Sequence, residues 1–120
     1  NSPMNLDALN GCMILISKRI LNEVGWFDTD YFLYYDDHDL MLKSKQKGFQ
    51  HRYTPNAVGY HDTSTGSRTK YSNKLWLYYA TRGSLLFLRK NFNPWSYKFY
   101  IYFLMHNVKF LAGIFNLDKE

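Results

Sequence analysis

The N-terminal part of the chain opens with a short apolar block followed by a helix signature. Residues 11–16 form an apolar run with β-branched members, which predicts a buried strand and a packed Cys12 thiol. Ser17 is a good helix N-cap and Gly25 a good helix end. We therefore expect a short helix over 18–24.

Two further strands are expected downstream. Residues 49–53 alternate between apolar and polar side chains, and residues 57–61 form a second short apolar run that ends on a histidine. A turn is predicted between them at Pro55 and Asn56. The polar residues 62–67 are expected to form a loop.

The C-terminal part has a helical period. Apolar and arginine positions recur at spacings of three and four from about residue 69 to 91, which predicts a long helix that Asn93-Pro94 ends. Residues 95–115 predict a second, very aromatic helix. The fold class expected for the whole chain is mixed α/β, with about three short strands and three to four helices, followed by a long helical tail.

Acidic and aromatic residues are concentrated in residues 26–40, where five aspartates, one histidine and six aromatic rings fall within fifteen positions. Rings that cover the apolar face of a sugar, beside carboxylates that accept its hydroxyl protons, are typical of a carbohydrate cleft. The alternative is an acidic cap on an ordinary helix, because Asp36 or Asp37 precedes a helical pattern that ends at Gly48. The stretch alone leaves both interpretations open.

Composition limits the classes of function. The chain has 120 residues, of which 46% are hydrophobic and 19% aromatic, so it is a folded domain or part of one. Residues 1–68 carry seven Lys/Arg and eight Asp/Glu, whereas residues 69–120 carry eight and two. A basic and aromatic C-terminal region fits an anionic membrane surface, and no nucleic-acid motif is present. No run of 18 uncharged apolar residues is found.

The ordered pieces resemble the C-terminal half of a family 2 glycosyltransferase of the GT-A fold, of the rhamnosyltransferase-like group that builds surface polysaccharides. The resemblance spans about residues 10–92. The matching pieces are Gly11-Cys12-Met13-Ile14-Leu15-Ile16-Ser17-Lys18-Arg19, Val24-Gly25-Trp26-Phe27-Asp28-Thr29-Asp30-Tyr31-Phe32, Tyr35-Asp36-Asp37-His38-Asp39-Leu40, Gly48-Phe49, Tyr53-Thr54-Pro55, His61 and Tyr78-Tyr79-Ala80-Thr81-Arg82.

The sequence departs from that family at several positions. Asp36 stands where Glu is usual, Lys43 where Arg is usual, and Gly83 where Asn often follows the arginine. The family's nucleotide-binding half, with its Asp-x-Asp metal motif, would lie upstream. Asp28-Thr29-Asp30 and Asp37-His38-Asp39 align with later parts of the pattern and are not that motif. The expectation is therefore an incomplete enzyme fragment, inactive by itself.

The resemblance implies an inverting transfer of a sugar from a nucleotide-sugar donor to a saccharide or lipid-linked acceptor, at the cytoplasmic face of the membrane. It implies that Asp37 is the general base with Asp36 beside it, and that His38 is a bystander. It implies that His61 is a ligand of Mn²⁺ or Mg²⁺ with partners from upstream. The residues that would line the acceptor site are Trp26, Asp28, Tyr31, Tyr34 and Asp39.

Alternatives remain beside these implied roles. A turn is an equally simple role for Asp28, and packing is one for the aromatic residues. The domain expectation is an acceptor-side part over 1–68 and a basic, aromatic helical region over 69–120. Residues 95–115 are expected either to touch a membrane interface or to pack, and the fragment is expected to self-associate. A non-catalytic carbohydrate-binding or membrane-surface assembly module is the alternative function.

Overall fold

The computed structural model describes residues 4–7, 11–62, 73–105 and 108. Over these residues the chain contains α-helices and one two-stranded antiparallel sheet, so the mixed α and β class is confirmed. The chain divides into two compact units, of which the first holds residues 1–30 and 36–61 and the second holds residues 31–35 and 62–120.

The sheet belongs to the first unit. Strand β1 (Met4–Leu6) pairs antiparallel with strand β2 (His51–Tyr53), and Asn5 lies opposite Arg52. The prediction of a strand within 49–53 is therefore confirmed in its second half. Strand β1 was not expected, because three residues in a polar terminus carry no detectable alternation.

Helix α1 (Lys18–Val24) has the bounds that the sequence predicts. The Ser17 hydroxyl accepts the backbone N–H of Ile20 at 3.3 Å, and Gly25 ends the helix with a φ of 102°. This conformation suits glycine because a side chain would be strained there. Helix α1 packs against the next helix.

Helix α2 (Asp36–Gln46) begins directly at the acidic motif. Asp36 and Asp37 lie inside its first turn, so the prediction that one of them is the N-cap is wrong by at least one position. The end of the helix is as predicted: Gly48 has a φ of 84°, its N–H bonds to the Lys45 carbonyl, and the Phe49 N–H bonds to the Ser44 carbonyl. These two bonds form a Schellman motif.

The second unit is built on helix α3 (Asn73–Asn91), with further helical residues at 97–105. The expected break is confirmed, since residues 92–96 are not helical. Residues 69–72 of the predicted long helix, the predicted 62–67 loop beyond Asp62, and most of 106–115 lie outside the described residues.

Aromatic contacts hold residues 31–35 against α3. Phe32 packs on Tyr79 with ring centroids 4.8 Å apart, and Tyr35 packs on Phe87 at 5.6 Å. Gly83 provides room for this contact, because a Cβ atom there would lie 2.9 Å from the Tyr34 carbonyl oxygen. Leu88 is the most buried apolar residue described in the unit, at 1% exposed.

Two strand predictions are wrong. Residues 14–17 and 57–62 have no regular secondary structure, and Leu15 and Tyr60 are fully exposed. A buried strand needs a neighbouring strand to pair with, and the described residues supply a single ladder, between β1 and β2. Cys12, which was expected to be packed, is exposed.

Candidate functional site

The predicted site residues divide between the two units. Tyr31 and Tyr34 belong to the second unit, and the other six belong to the first. Within the first unit the carboxylates fall into two sets. Asp37 forms one set with Gly11 and His38, and Asp39 forms the other with Lys43 and Asp28.

Asp37 is held by three hydrogen bonds. Its Oδ2 accepts the Gly11 N–H at 2.9 Å, and its Oδ1 accepts the His38 N–H at 2.8 Å and lies 2.7 Å from the His38 Nδ1. Burial opposes ionisation of this carboxyl group, but the hydrogen bonds and charge of His38 and the Gly11 N–H outweigh it. The pKa of Asp37 is therefore lowered from its ordinary 3.8, and the group is a carboxylate at neutral pH.

His38 forms a pair with Asp37 that the sequence interpretation missed. The hydrogen bond that the ring donates to the Asp37 carboxylate is the largest influence and raises the pKa of His38 above its ordinary 6.5. Burial opposes this shift, and the charges of Asp37 and Asp36 assist it. The ring is half exposed. The sequence did contain a signal for this pair, because His38 stands between Asp37 and Asp39 and an imidazole beside carboxylates readily gains a partner.

Asp39 is the most buried carboxylate described, at 1% exposed. Lys43 lies one helical turn later, and its Nζ is 2.5 Å from the Asp39 Oδ2 and 3.7 Å from the Asp28 Oδ2. Asp28 also accepts the Asp30 N–H at 3.0 Å through its Oδ1, which closes a local turn. Lys43 therefore bridges two aspartates, a role that a single ammonium group fills without a bidentate fork.

A cavity of about 360 Å³ lies within the first unit. Aliphatic and aromatic side chains from 14–16, α1 and α2 form most of its wall, and Phe49 continues it. The polar lining residues are Ser17, Asp37, Ser44, Gln50, His51 and Arg52. Small-ligand sites typically have volumes of about 300–1,000 Å³ and combine an apolar wall with a few polar groups, as this cavity does.

His51 lines the cavity and carries an unsatisfied polar atom. Its Nε2 lies 2.7 Å from the Ser44 Oγ, while its Nδ1 is buried and has no hydrogen-bond partner in the described part of the chain. An unpaired buried polar atom costs about 1–3 kcal/mol. The sequence interpretation used His51 only as a strand residue.

The three aromatic residues predicted to line an acceptor site have different surroundings. Trp26 is 76% exposed, whereas Tyr31 is 6% exposed and its ring lies 5.5 Å from the Lys90 Nζ. The Tyr34 ring meets the Trp76 ring edge-on at a centroid distance of 6.3 Å. Trp26 is therefore available to a ligand, and the placements of the two tyrosines favour packing within the second unit.

His61 is exposed, and the structure describes its backbone and that of Asp62 but not the residues that follow directly. Over the described ranges, no three His, Cys, Asp or Glu side chains come together in a way that could hold a metal ion. A single imidazole is not a metal site, so a metal at His61 would need ligands from other parts of the protein. We therefore assign no chemical step to a metal.

The described part of the chain contains no helix that is long and apolar enough to cross a bilayer. Comparison of the chain with protein-family models, with curated proteins and with solved structures found no match.

Proposed function

We propose that this chain is the acceptor-side part of an inverting glycosyltransferase of the GT-A fold, which moves a sugar from a nucleotide-sugar donor to a saccharide or lipid-linked acceptor. Two lines of support exist. The first is the ordered set of sequence pieces between residues 10 and 92 that resembles family 2. The second is the state and position of Asp37.

The observation that carries the proposal is an ionised carboxylate on the wall of a small cavity. Asp37 lines the cavity of about 360 Å³ and keeps a lowered pKa there through Gly11 and His38. A general base must be deprotonated and within reach of the acceptor hydroxyl. A plain helix cap needs only to accept backbone N–H groups, and does not need a cavity in front of it.

The proposed chemistry is a single displacement. The acceptor hydroxyl oxygen forms a bond to the anomeric carbon of the donor. The bond between that carbon and the nucleoside diphosphate breaks, and the nucleoside diphosphate leaves with the electron pair. The acceptor proton moves either to Asp37 directly or to the His38 Nε2, with Asp37 holding the ring through Nδ1. Asp36 contributes negative charge that favours the protonated ring.

The other residues have supporting roles in this proposal. Asp39 and Asp28 hold Lys43 and so fix the surface of α2, and Trp26 offers an exposed ring to the apolar face of a sugar. The resemblance adds Mn²⁺ or Mg²⁺, with His61 as one ligand. When bound, such an ion would neutralise the diphosphate leaving group.

A non-catalytic carbohydrate-binding module is the second candidate. The exposed Trp26, followed by Phe27 at 40% exposed, favours it, because such rings bind sugars without any reaction. Turnover separates the two candidates, since a binding module would hold a saccharide but release it unchanged.

The test is sugar transfer by the full-length protein that contains this chain, with a panel of nucleotide sugars and Mn²⁺. We expect Asp37→Asn to lower kcat by about 100-fold or more, which is the usual contribution of a general base. His38→Gln distinguishes the two proton acceptors: it lowers kcat as strongly if His38 takes the proton, and much less if Asp37 does. The exposed Asp30→Asn variant serves as a matched control.

Equal turnover by wild type and Asp37→Asn would remove the base assignment and return the motif to a helix cap. Wild-type protein that is inert with every donor, but whose Trp26 fluorescence responds to oligosaccharides, would favour the binding module.

A further inference from the structure

The helical part of the second unit, over the described residues 73–105, carries charged side chains of one sign. The sequence between Asp62 and Asp118 contains no acidic residue, yet it contains eight Lys or Arg residues. Five of these lie in the described helical part of the unit, and all five are exposed: Lys74, Arg82, Arg89, Lys90 and Lys98.

One face of α3 carries a groove of about 480 Å³, with Arg82 and Arg89 among its lining residues. Seven residues separate these arginines, so they lie on the same side of the helix, about 10 Å apart along its axis. Tyr78 and Leu85 share the groove and are 57% and 40% exposed. The face is therefore an apolar strip with two guanidinium groups on it.

The helical residues 97–105 add further exposed apolar side chains to the unit. The most exposed large side chains of this region and the loop before it are Trp95 at 86%, Tyr97 at 70%, Tyr100 at 52%, Ile101 at 50%, Leu104 at 62% and Met105 at 51%. An exposed apolar surface of this kind normally marks an interaction site. Tyr102 packs on Phe92 with ring centroids 5.3 Å apart, and Phe92 packs on Phe87 of α3 at 5.9 Å, which connects these residues to α3 within the unit.

We propose that this surface, called the basic aromatic face and comprising the α3 groove and residues 95–105, docks on a bilayer that contains anionic phospholipids. Arginine binds lipid phosphate through paired N–H donors, and tryptophan and tyrosine rings occupy the headgroup level. Exposed aliphatic residues such as Leu104 and Met105 enter the acyl boundary. The inference is independent of the proposed sugar transfer.

Charge complementarity favours lipid over two other occupants. A second copy of the face would bring the positive charges of Arg82, Arg89 and Lys98 against the same three charges, which is repulsive. Single-stranded nucleic acid also combines stacking with positive charge, but nucleic-acid interfaces are polar. The aliphatic content of this face fits hydrocarbon better than it fits a base or a ribose.

The experiment is flotation of the 120-residue chain with vesicles of phosphatidylcholine alone and of phosphatidylcholine mixed with phosphatidylglycerol. We expect binding to the mixed vesicles that weakens as salt is raised. The double variant Arg82→Gln/Arg89→Gln should bind about 25-fold more weakly, from about 5-fold for each basic residue at the surface. Arg82→Lys/Arg89→Lys keeps the charges and should retain most of the binding.

The matched control is Lys18→Gln/Lys47→Gln, which removes the same charge from exposed positions of the first unit and should bind as wild type does. Vesicles should also shift the tryptophan emission to shorter wavelength, and Trp95→Phe should remove most of that shift. The emission shift of the wild type and its loss in Trp95→Phe remain decisive if Arg82→Gln/Arg89→Gln fails to fold.

Several outcomes would overturn the proposal. The first is equal binding to neutral and mixed vesicles. The second is an equal loss of vesicle binding in Arg82→Gln/Arg89→Gln and in the control Lys18→Gln/Lys47→Gln. The third is a wild-type tryptophan emission that vesicles leave unchanged. Tight salt-sensitive binding to single-stranded RNA without vesicle binding would assign the face to nucleic acid, and a dimer that shields Trp95 would assign it to a second copy.

Discussion

Gly11 donates its backbone N–H to the Asp37 carboxylate over 2.9 Å, although 26 positions separate the two residues. A Cβ atom on Gly11 would lie 2.7 Å from that same Oδ2 and 3.2 Å from the Asp37 Cβ. The position of the Asp37 carboxylate within the unit thus depends on the absence of a side chain at Gly11.

Gly11→Ala should displace the Asp37 carboxylate and weaken this bond. We expect the pKa of Asp37 to rise, because a hydrogen bond that favours the ionised form is lost. The free energy of unfolding should fall by about 1 kcal/mol, the usual net worth of one hydrogen bond. Carboxyl ¹³C NMR over a pH series measures the first effect and urea unfolding the second.

Gly59→Ala is the control for this substitution. Its Cβ would meet only the flexible end of the Met13 side chain, with the Sδ at 2.6 Å, so a rotamer change can relieve the contact. The relationship between Gly11 and Asp37 would be refuted if both variants left the pKa of Asp37 unchanged.

The Asp37–His38 pair makes stability depend on pH in a defined window. The pKa of Asp37 is lowered from 3.8, so its contribution is complete above that pH and is lost as pH falls through the folded value. The pKa of His38 is raised from 6.5, so its contribution is complete below 6.5 and is lost as pH rises through the folded value. The pair therefore stabilises the chain most between pH 3.8 and 6.5.

Asp37→Asn should lower the pKa of His38 towards 6.5, which ¹H NMR of the ring protons measures directly. In wild type the free energy of unfolding should fall by less than about 1 kcal/mol between pH 6 and 8, because the ring is half exposed. This pH dependence should be absent in Asp37→Asn. His51, whose ring pairs with Ser44 instead, is the internal control. An unchanged His38 titration would show that the pair does not form in solution.

Lys43 should stabilise the fold mainly because its ammonium group lies beside the buried Asp39 carboxylate. Lys43→Met leaves Asp39, which is 1% exposed, without its closest ammonium group, and should lower the free energy of unfolding by about 1–3 kcal/mol. Lys43→Arg should be tolerated, since a guanidinium group can also bridge two carboxylates.

A double-mutant cycle with Asp39→Asn measures the coupling of this pair. We expect Lys43→Met to cost much less stability in the Asp39→Asn background, because the buried side chain that faces Lys43 is then neutral. Additive losses would show that Asp39 is stabilised by other groups, and would leave it available to an acceptor.

Local signals in the sequence predicted the helices well and the sheet poorly. Ser17, Gly25 and Gly48 fix helix ends through bonds to their immediate neighbours, so their effect can be read from residue type and spacing. The run 11–16 needed a distant partner strand to become a strand itself, and no local pattern reports whether that partner exists.

The sequence named candidate residues for a site but could not give the contacts around them. The acidic motif marked Asp37, whereas its bond to Gly11 arises from tertiary structure and could not be foreseen. Three aromatic residues before the motif, Trp26, Tyr31 and Tyr34, were expected beside a ligand, with packing as the alternative. The Tyr34 ring meets the Trp76 ring of α3 edge-on, because the chain must bury apolar surface wherever a complementary helix face is available.

Gly83 should resist substitution in spite of its helical position. Alanine in a helix interior is normally about 1 kcal/mol more favourable than glycine. At Gly83 the new Cβ would lie 2.9 Å from the Tyr34 carbonyl oxygen and 3.2 Å from the Tyr35 ring. The backbone there cannot easily move, because Tyr34 and Tyr35 already have positive φ angles of 67° and 70°.

We therefore expect Gly83→Ala to lower the free energy of unfolding by about 1–2 kcal/mol, since overpacking exceeds the gain in helix propensity. Thermal unfolding followed by circular dichroism should show a midpoint lower by about 5 °C or more. Ala80→Gly, three residues earlier in α3, reports the propensity effect alone and should cost about 1 kcal/mol. A Gly83→Ala chain that is more stable than wild type would mean that residues 33–35 do not pack on α3 in solution, because propensity would then be the only effect of the added methyl group.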